Sequence, residues 1–289
     1  MICSGGLFLV TPASAQNPRN AAKNTRYLAL GDSVSFGYNP TVAENLNNYL
    51  GYPELVSDAV HEKVANASCV GESSGSFLSV TAPDVGCKDW KQKGKPMWVP
   101  YTGTQMDYAV AYLRNNPNPK LVTINIGGND LALLQFQCGG DVTCEAAGIP
   151  GLLAAYGANL TTIFSRLRID AGYKGPIVLL TYYAFDYRPA AAAQDGAFLA
   201  LNGVASGIAT AFGAKVADGF NAFFVASLRS GGDPCAAGLL VKKAGGLVGG
   251  VCDVHPSVAG QKVLADAILK VIGTKNSGDN NSGDNVDQH

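Results

Sequence analysis

Tyr27-Leu28-Ala29-Leu30-Gly31-Asp32-Ser33 is a short apolar run that ends abruptly at a glycine and continues into a serine. A run that is apolar at every position is typical of a strand buried on both faces, as in a parallel sheet. Glycine tolerates the sharp turn that follows such a strand. The stretch therefore predicts a buried strand that presents the hydroxyl group of Ser33 at its carboxyl end.

Similar runs recur along the chain, and helical patterns lie between them. The alternation of strands and helices predicts an α/β fold in which a parallel five-stranded sheet carries helices on both faces. No break in composition suggests a second domain inside this region. We predict strands at 27–30, 68–70, 121–126, 177–180 and 214–217, and helices at 53–65, 105–114, 152–168, 197–212 and 258–272.

The composition of the 289-residue chain is that of an ordered globular protein, with 47% apolar and 15% charged residues. A formal net charge of −1 shows none of the excess of basic residues that is typical of proteins that bind nucleic acid or anionic membranes. No segment approaches the roughly 20 apolar residues of a membrane span, and no dinucleotide-binding or phosphate-binding motif occurs. We expect a monomer without a cofactor, a nucleic-acid partner or stable membrane insertion.

The two ends of the chain differ from the rest. Residues 1–15 read as the end of a signal peptide, because an apolar stretch precedes the small-x-small pattern Ala13-Ser14-Ala15. The basic n-region is missing, so the leader is truncated or the stretch is a frayed apolar terminus. We expect an extension at 16–25, the domain at 26–273, and a low-complexity Asn-Ser-Gly-Asp-Asn tail at 274–289, with calcium binding by the tail as an alternative. A signal peptide at 1–15 implies that the protein is secreted.

Six cysteines follow the expected leader, which agrees with export to an oxidising compartment. Six cysteines allow 15 connectivities, and zinc binding is a rival use that the absence of a CxxC motif disfavours. The simplest connectivity is sequential, since each bridge would close a polar or glycine-rich loop. Its pairs are Cys69–Cys87, Cys138–Cys144 and Cys235–Cys252.

Polar groups follow several of the predicted strands. In a parallel sheet of order 2-1-3-4-5, the carboxyl ends of the first three strands are neighbours beside the point where strand order reverses. Ser33, Gly71 and Asn129 follow these three strands. We therefore expect them to converge at one edge of the sheet, although they are far apart in the chain.

These groups, with one histidine, have the chemistry of acyl transfer. A serine hydroxyl needs a base to remove its proton, and His255 is the candidate because His61 is predicted inside a helix and His289 ends the tail. A tetrahedral intermediate needs donors aimed at its oxyanion. The backbone N–H groups of Ser33 and Gly71 and the amide of Asn129 are the candidates.

Four blocks in the chain resemble, in order, the signature blocks of the SGNH (GDSL-type) hydrolases. They are Gly31-Asp32-Ser33, Cys69-Val70-Gly71-Glu72-Ser73, Gly127-Gly128-Asn129-Asp130 and His255-Pro256. The resemblance implies a three-layer α/β/α flavodoxin-like fold and a secreted esterase or lipase that acts on small-molecule or lipid esters. It also implies Ser33 as nucleophile, Gly71 and Asn129 as oxyanion donors and His255 as base. The cysteine layout is similar to that of actinobacterial members with three disulfides.

One position departs from the family pattern. The family often has an aspartate three residues before the histidine, where this chain has Cys252, and Asp253 lies two before instead. Either Asp253 or a backbone carbonyl near Cys252 orients His255. We favour the carbonyl, which predicts that Asp253→Ala keeps more than a tenth of the activity.

Other readings of the chain remain open. Gly71-Glu72-Ser73-Ser74-Gly75 matches the G-x-S-x-G elbow of another hydrolase class, although no good helix pattern follows it. The same site could serve an acyltransferase or a carbohydrate O-deacetylase, or the protein could bind a ligand without turnover. Chain-length preference depends on how 73–100 and 135–151 cover the crevice, and on aromatic residues such as Tyr182, Tyr183 and Phe185.

Overall fold

The computed structural model describes residues 25–116 and 118–273, without the side chains of 192–195. The expected leader (1–15), all but the last residue of the expected extension (16–25) and the expected tail (274–289) lie outside the described residues. Within the described ranges, no helix is both long and apolar enough to cross a membrane.

A five-stranded parallel sheet forms the centre of the fold, in the order β2-β1-β3-β4-β5. The side chains of β1, β3 and β4 are buried throughout, as expected for strands covered on both faces. Strand order and parallel direction are those predicted from the sequence. The strands are β1 (Tyr27–Gly31), β2 (Val64–Asn66), β3 (Leu121–Asn125), β4 (Ile177–Leu180) and β5 (Lys215–Ala217).

Helices cover both faces of the sheet, so the fold is the predicted three-layer α/β/α arrangement. Helices α2, α8 and α9 pack together as one group, and α6 and α7 pack together in the other. The helices are α1 (Ser33–Phe36), α2 (Tyr52–Val60), α3 (Cys87–Gln92), α4 (Gln105–Asn115), α5 (Gly128–Cys138), α6 (Val142–Ser165), α7 (Ala192–Ala211), α8 (Gly219–Ser227) and α9 (Val258–Ile272). A π-helical turn at Arg166–Asp170 continues α6.

The second strand and the helix before it differ from the prediction. Helix α2 ends at Val60, because His61 adopts a left-handed conformation (φ 55°) and its N–H caps the last turn. Strand β2 therefore begins at Val64, where the sequence predicted helix, and the predicted strand at 68–70 is wrong. His61 lies at the end of a helix rather than inside one.

A small antiparallel hairpin that the sequence did not predict carries the candidate base. Strand β6 (Leu240–Lys242) pairs with β7 (Cys252–Pro256), and His255 lies on β7. Helices α5 and α8 and the first ten residues of α6 were also not predicted. Leu239 O accepts the backbone N–H of Ser257, which joins the hairpin to α9.

Three disulfides connect the segments around the carboxyl edge of the sheet. They join Cys69 to Cys87, Cys138 to Cys144 and Cys235 to Cys252, the pairs of the simplest connectivity. The second links the end of α5 to the start of α6, and the third anchors β7 to the segment before β6.

Candidate active site

Ser33 lies where β1 turns into helix α1. Gly31 has a φ of 143°, and a Cβ atom there would lie 2.1 Å from the carbonyl oxygen of Asn125, so only glycine fits between β1 and β3. Asp32 caps the helix, because its Oδ1 accepts the backbone N–H of Val34 at 2.9 Å. The turn holds Ser33 as the first residue of α1, at the edge that the sequence predicted.

The imidazole of His255 joins Ser33 to Asp253. Its Nε2 lies 2.9 Å from the Ser33 Oγ, and its Nδ1 contacts Oδ1 of Asp253, which also accepts the backbone N–H of His255 at 3.2 Å. Residues two apart in a strand point to the same side, so β7 brings the carboxylate and the imidazole together. The expectation that a backbone carbonyl orients His255 is therefore corrected.

The carboxylate of Asp253 is buried and paired. Burial by itself would raise its pKa, but the contacts with His255 and Lys243 prevail and lower the pKa to about 2. Lys243 Nζ lies 3.3 Å from Oδ2. An ionised carboxylate at this position favours the imidazole tautomer with hydrogen on Nδ1, which leaves Nε2 free to accept the proton of Ser33.

The expected oxyanion donors belong to three loops that hydrogen bonds hold together. Asn129, in the first turn of α5, donates from Nδ2 to the carbonyl of Glu72 at 2.8 Å, and the same nitrogen lies 3.4 Å from Oδ2 of Asp32. The second distance exceeds the usual N–H···O range, so this amide hydrogen is only weakly bonded and is available to a better acceptor. These contacts join the Asn129 loop to those that carry Gly71 and Ser33.

Two backbone amides are the other expected donors. In the described part of the chain, neither the N–H of Ser33 nor that of Gly71 has a hydrogen-bond acceptor. Gly71 has a φ of 82°, and a Cβ there would lie 2.6 Å from the carbonyl carbon of Val85. Glycine is required at this position for both conformation and space.

Sequence reasoning named Tyr182 and Tyr183 only as aromatic residues near the crevice and missed that they support the site from another element. Tyr182, just after β4, donates its hydroxyl to Oδ2 of Asp32, and Tyr183 donates to the carbonyl of Val254 at 2.7 Å. Burial raises the pKa of Asp32 to about 7, and the hydrogen bond from Tyr182 opposes this rise. The Tyr38 ring lies edge-on to His255, with centroids 5.0 Å apart. No local signal identifies such partners, because they act from distant segments.

The alternative nucleophile does not have a suitable environment. Ser73 is buried and donates its hydroxyl to the carbonyl of Pro83 at 2.7 Å. No helix begins directly after it, as the elbow motif would require. Nearby, Cys69, Glu72 and Cys87 gather metal-ligand atom types, but the disulfide between the two cysteines removes both thiolates as ligands.

A crevice with a volume of about 630 Å³ opens beside Ser33 and His255. Its walls come from α5, from the start of α6 and from the segment after β4. Two segments were expected to cover the crevice. Residues 135–151 form parts of α5 and α6 and supply several lining residues, whereas 73–100 supplies Val85. Most of the lining is apolar and includes Leu131, Ala132, Leu134, Phe136, Ala146, Ile149, Phe185 and Phe198.

The groups of this site all lie within the part of the chain that matches a known family. The model of the GDSL-like lipase/acylhydrolase family matches residues 29–263, which is most of the chain. The chain belongs to this family. As a GDSL-like lipase/acylhydrolase it is an ester-hydrolysing enzyme, and the resemblance stated from its four sequence blocks is confirmed.

Solved structures of this GDSL-like enzyme's fold include an extracellular lipase from Streptomyces rimosus. That lipase is 21% identical, with a TM-score of 0.55 over 87% of this chain and all of the other. An acetylxylan esterase from Geobacillus stearothermophilus is 21% identical, with a TM-score of 0.52 over 86% and 94% of the two chains. At this identity the likeness supports the fold. No curated protein matches the chain.

Proposed function

We propose that the protein is a secreted serine ester hydrolase with a Ser33–His255–Asp253 triad and a three-donor oxyanion hole. The proposal rests on one observation, the 2.9 Å contact between Ser33 Oγ and His255 Nε2, with Asp253 on the opposite ring nitrogen. This is the arrangement that lets an imidazole activate a serine hydroxyl.

In the first half of the proposed reaction, His255 Nε2 takes the hydroxyl proton as Ser33 Oγ attacks the ester carbonyl. The oxyanion that forms receives hydrogen bonds from the Ser33 and Gly71 amides and from Asn129 Nδ2. Asp253 stabilises the imidazolium. His255 then gives the proton to the departing alcohol, which leaves an acyl group on Ser33.

In the second half, water replaces the alcohol. His255 takes a proton from this water as its oxygen attacks the acyl carbonyl, and the same donors stabilise the second oxyanion. When that intermediate collapses, the proton returns from His255 to Ser33 Oγ. The products are the carboxylic acid and a free enzyme.

We further propose that the preferred esters carry an apolar acyl chain, because the crevice beside Ser33 is lined mainly by aliphatic and aromatic side chains. Each methylene group buried in such a crevice contributes about 0.8 kcal/mol. This predicts that kcat/KM rises about four-fold per added methylene until the crevice is filled.

Secretion is part of the proposal. Three disulfides in one domain are typical of proteins in an oxidising compartment, and Ala13-Ser14-Ala15 fits a cleavage site. The test is to express the gene with its own leader region in an actinobacterial host and to determine the N-terminus of any protein in the medium. A protein that stays in the cells would contradict this part.

Covalent labelling tests the nucleophile. A fluorophosphonate probe should label the wild type on the peptide that contains Ser33, and Ser33→Ala should lose both labelling and ester hydrolysis. Ser73→Ala is the matched control and should keep both. Labelling at Ser73, or hydrolysis that survives Ser33→Ala, would refute the assignment.

A ladder of p-nitrophenyl esters from acetate to palmitate tests the substrate class. Acetylated xylo-oligosaccharides serve as the comparison, and added alcohol reveals acyl transfer. Faster turnover of the acetylated sugars than of every longer acyl ester would contradict the proposed acyl preference while leaving the nucleophile assignment intact.

A further inference from the structure

The turn between β6 and β7 is a mostly exposed segment without a polar side chain. Residues 244–251 read Ala-Gly-Gly-Leu-Val-Gly-Gly-Val. The side chain of Leu247 is 84% exposed and also lines the crevice opening, and that of Val251 is exposed as well. Since β7 carries His255, this apolar turn lies beside the reactive groups.

A second apolar segment lies along the same crevice. Phe136, near the end of α5, is 67% exposed, and Val142, at the start of α6, is 75% exposed. Both also line the crevice. We call Phe136, Val142, Leu247 and Val251 the apolar rim.

Exposed apolar residues are ordinary when they are scattered singly. Here three of the four rim residues, Phe136, Val142 and Leu247, line the apolar crevice that leads to Ser33, so the exposed surface continues into the site. The disulfide Cys138–Cys144 joins the two helices that bear Phe136 and Val142, and Cys235–Cys252 anchors the strand after the turn. Such anchoring limits the entropy lost when a surface docks.

We propose that the apolar rim docks on the surface of aggregated, uncharged or zwitterionic lipid and so brings lipid esters to the crevice. The four rim side chains are aliphatic or aromatic, and the nearby Lys243 is paired with Asp253, so the rim lacks a free basic cluster for an anionic surface. The purpose of this docking, hydrolysis of lipid esters, rests on the proposed function, but binding to the surface itself needs no turnover.

A second copy of the chain is a less suitable occupant. Four exposed side chains offer at most a few hundred Å², below the roughly 800 Å² per partner of a stable protein interface. A copy seated on the rim would also cover the crevice that leads to Ser33. Docking on a lipid surface does not require a buried area as large as that of a protein interface, and the lipid presents acyl chains directly to the opening.

Sedimentation with vesicles of ether-linked phosphatidylcholine tests the proposal, because these lipids have no carboxylic ester bond for the proposed hydrolase to cleave. The wild type should sediment with the vesicles, and Phe136→Ser/Leu247→Ser should bind at least ten-fold more weakly. Ile169→Ser is the matched control, since Ile169 is 72% exposed but lies beyond the far end of α6, whose 24 residues span roughly 36 Å. It should bind as the wild type does.

Thermal unfolding and circular dichroism should be unchanged in the double variant, so that weaker binding reflects the surface rather than misfolding. A wild type that stays in the supernatant, or equal binding by wild type and double variant, would overturn the proposal. Light scattering that shows a wild-type dimer and a monomeric double variant would assign the rim to a second copy instead. Failure of ester hydrolysis would refute the proposed function without altering the vesicle result.

Discussion

Replacing Asp253 with asparagine removes the negative charge beside His255 and keeps the size of the side chain. In the structure, one carboxylate oxygen contacts Nδ1 of the imidazole and accepts the His255 backbone N–H. An asparagine can retain the backbone contact through its carbonyl oxygen. The substitution therefore tests the charge and the tautomer of His255 with little change in packing.

Two losses set the expected magnitude. A hydrogen bond to a charged group contributes about 1.5–3 kcal/mol, so a weaker contact with the imidazolium slows turnover about 10- to 150-fold. In addition, an asparagine side chain turned so that its nitrogen takes the place of the contacting oxygen gives up the backbone contact and donates to Nδ1, which favours hydrogen on Nε2, where Ser33 needs an acceptor. The combined effect approaches the roughly 10⁴-fold loss known for the equivalent change in chymotrypsin. We expect kcat to fall between about 10²- and 10⁴-fold.

The assay is the steady-state hydrolysis of p-nitrophenyl butyrate at neutral pH, with folding checked by circular dichroism. Lys243→Met is the matched control, because it removes the second, half-exposed partner of Asp253. It should cost no more than about 1 kcal/mol, or about five-fold. A folded Asp253→Asn enzyme that keeps more than a tenth of the wild-type kcat would refute the triad and restore the carbonyl-oriented dyad.

Three further predictions concern other parts of the molecule. Asn129→Asp removes an oxyanion donor, so kcat should fall about 10²- to 10³-fold in ester hydrolysis; unimpaired turnover would exclude Asn129 from the site. Cys138→Ser/Cys144→Ser opens a loop of 6 residues, which should lower the free energy of unfolding in urea by about 2 kcal/mol; a change below about 0.5 kcal/mol would contradict this. Burial raises the pKa of Glu54 to about 7, so the folded state retains a proton that the unfolded state releases above its lower pKa. The free energy of unfolding should therefore decrease as pH rises from about 4.5 to 7. In urea titrations at several pH values, Glu54→Gln should reduce this decrease by up to about 3 kcal/mol. An equally steep decrease in the variant would refute the assignment.

The central sheet was largely predictable because its strands are buried on both faces and therefore apolar throughout. Strands β1, β3, β4 and β5 lie within one or two residues of their predicted positions. Strand β2 was misplaced because it has only three residues and includes Asn66, which donates to the carbonyl of Ser35 instead of filling the core. A segment this short has no period to detect.

Asp253 was one of two candidates to orient His255, but a backbone carbonyl was favoured because no strand was predicted there. In a strand, residues two apart point to the same side and residues three apart point to opposite sides. With residues 252–256 in strand conformation, Asp253 therefore faces the same side as His255, whereas Cys252 does not. The strand exists because it pairs with β6 across a glycine-rich turn. Tyr182 and Lys243 reach the site from separate segments, and no nearby residue signals their role.

By itself, the sequence determined which reactive groups the protein has and which strand ends present them, because side-chain chemistry and apolar periodicity are local properties. Only the tertiary structure decided that Ser33 and His255, 222 residues apart, meet at 2.9 Å, and that helices α5 and α6 form an apolar crevice beside them. Those distances depend on how distant segments pack, and packing is a property of the whole chain.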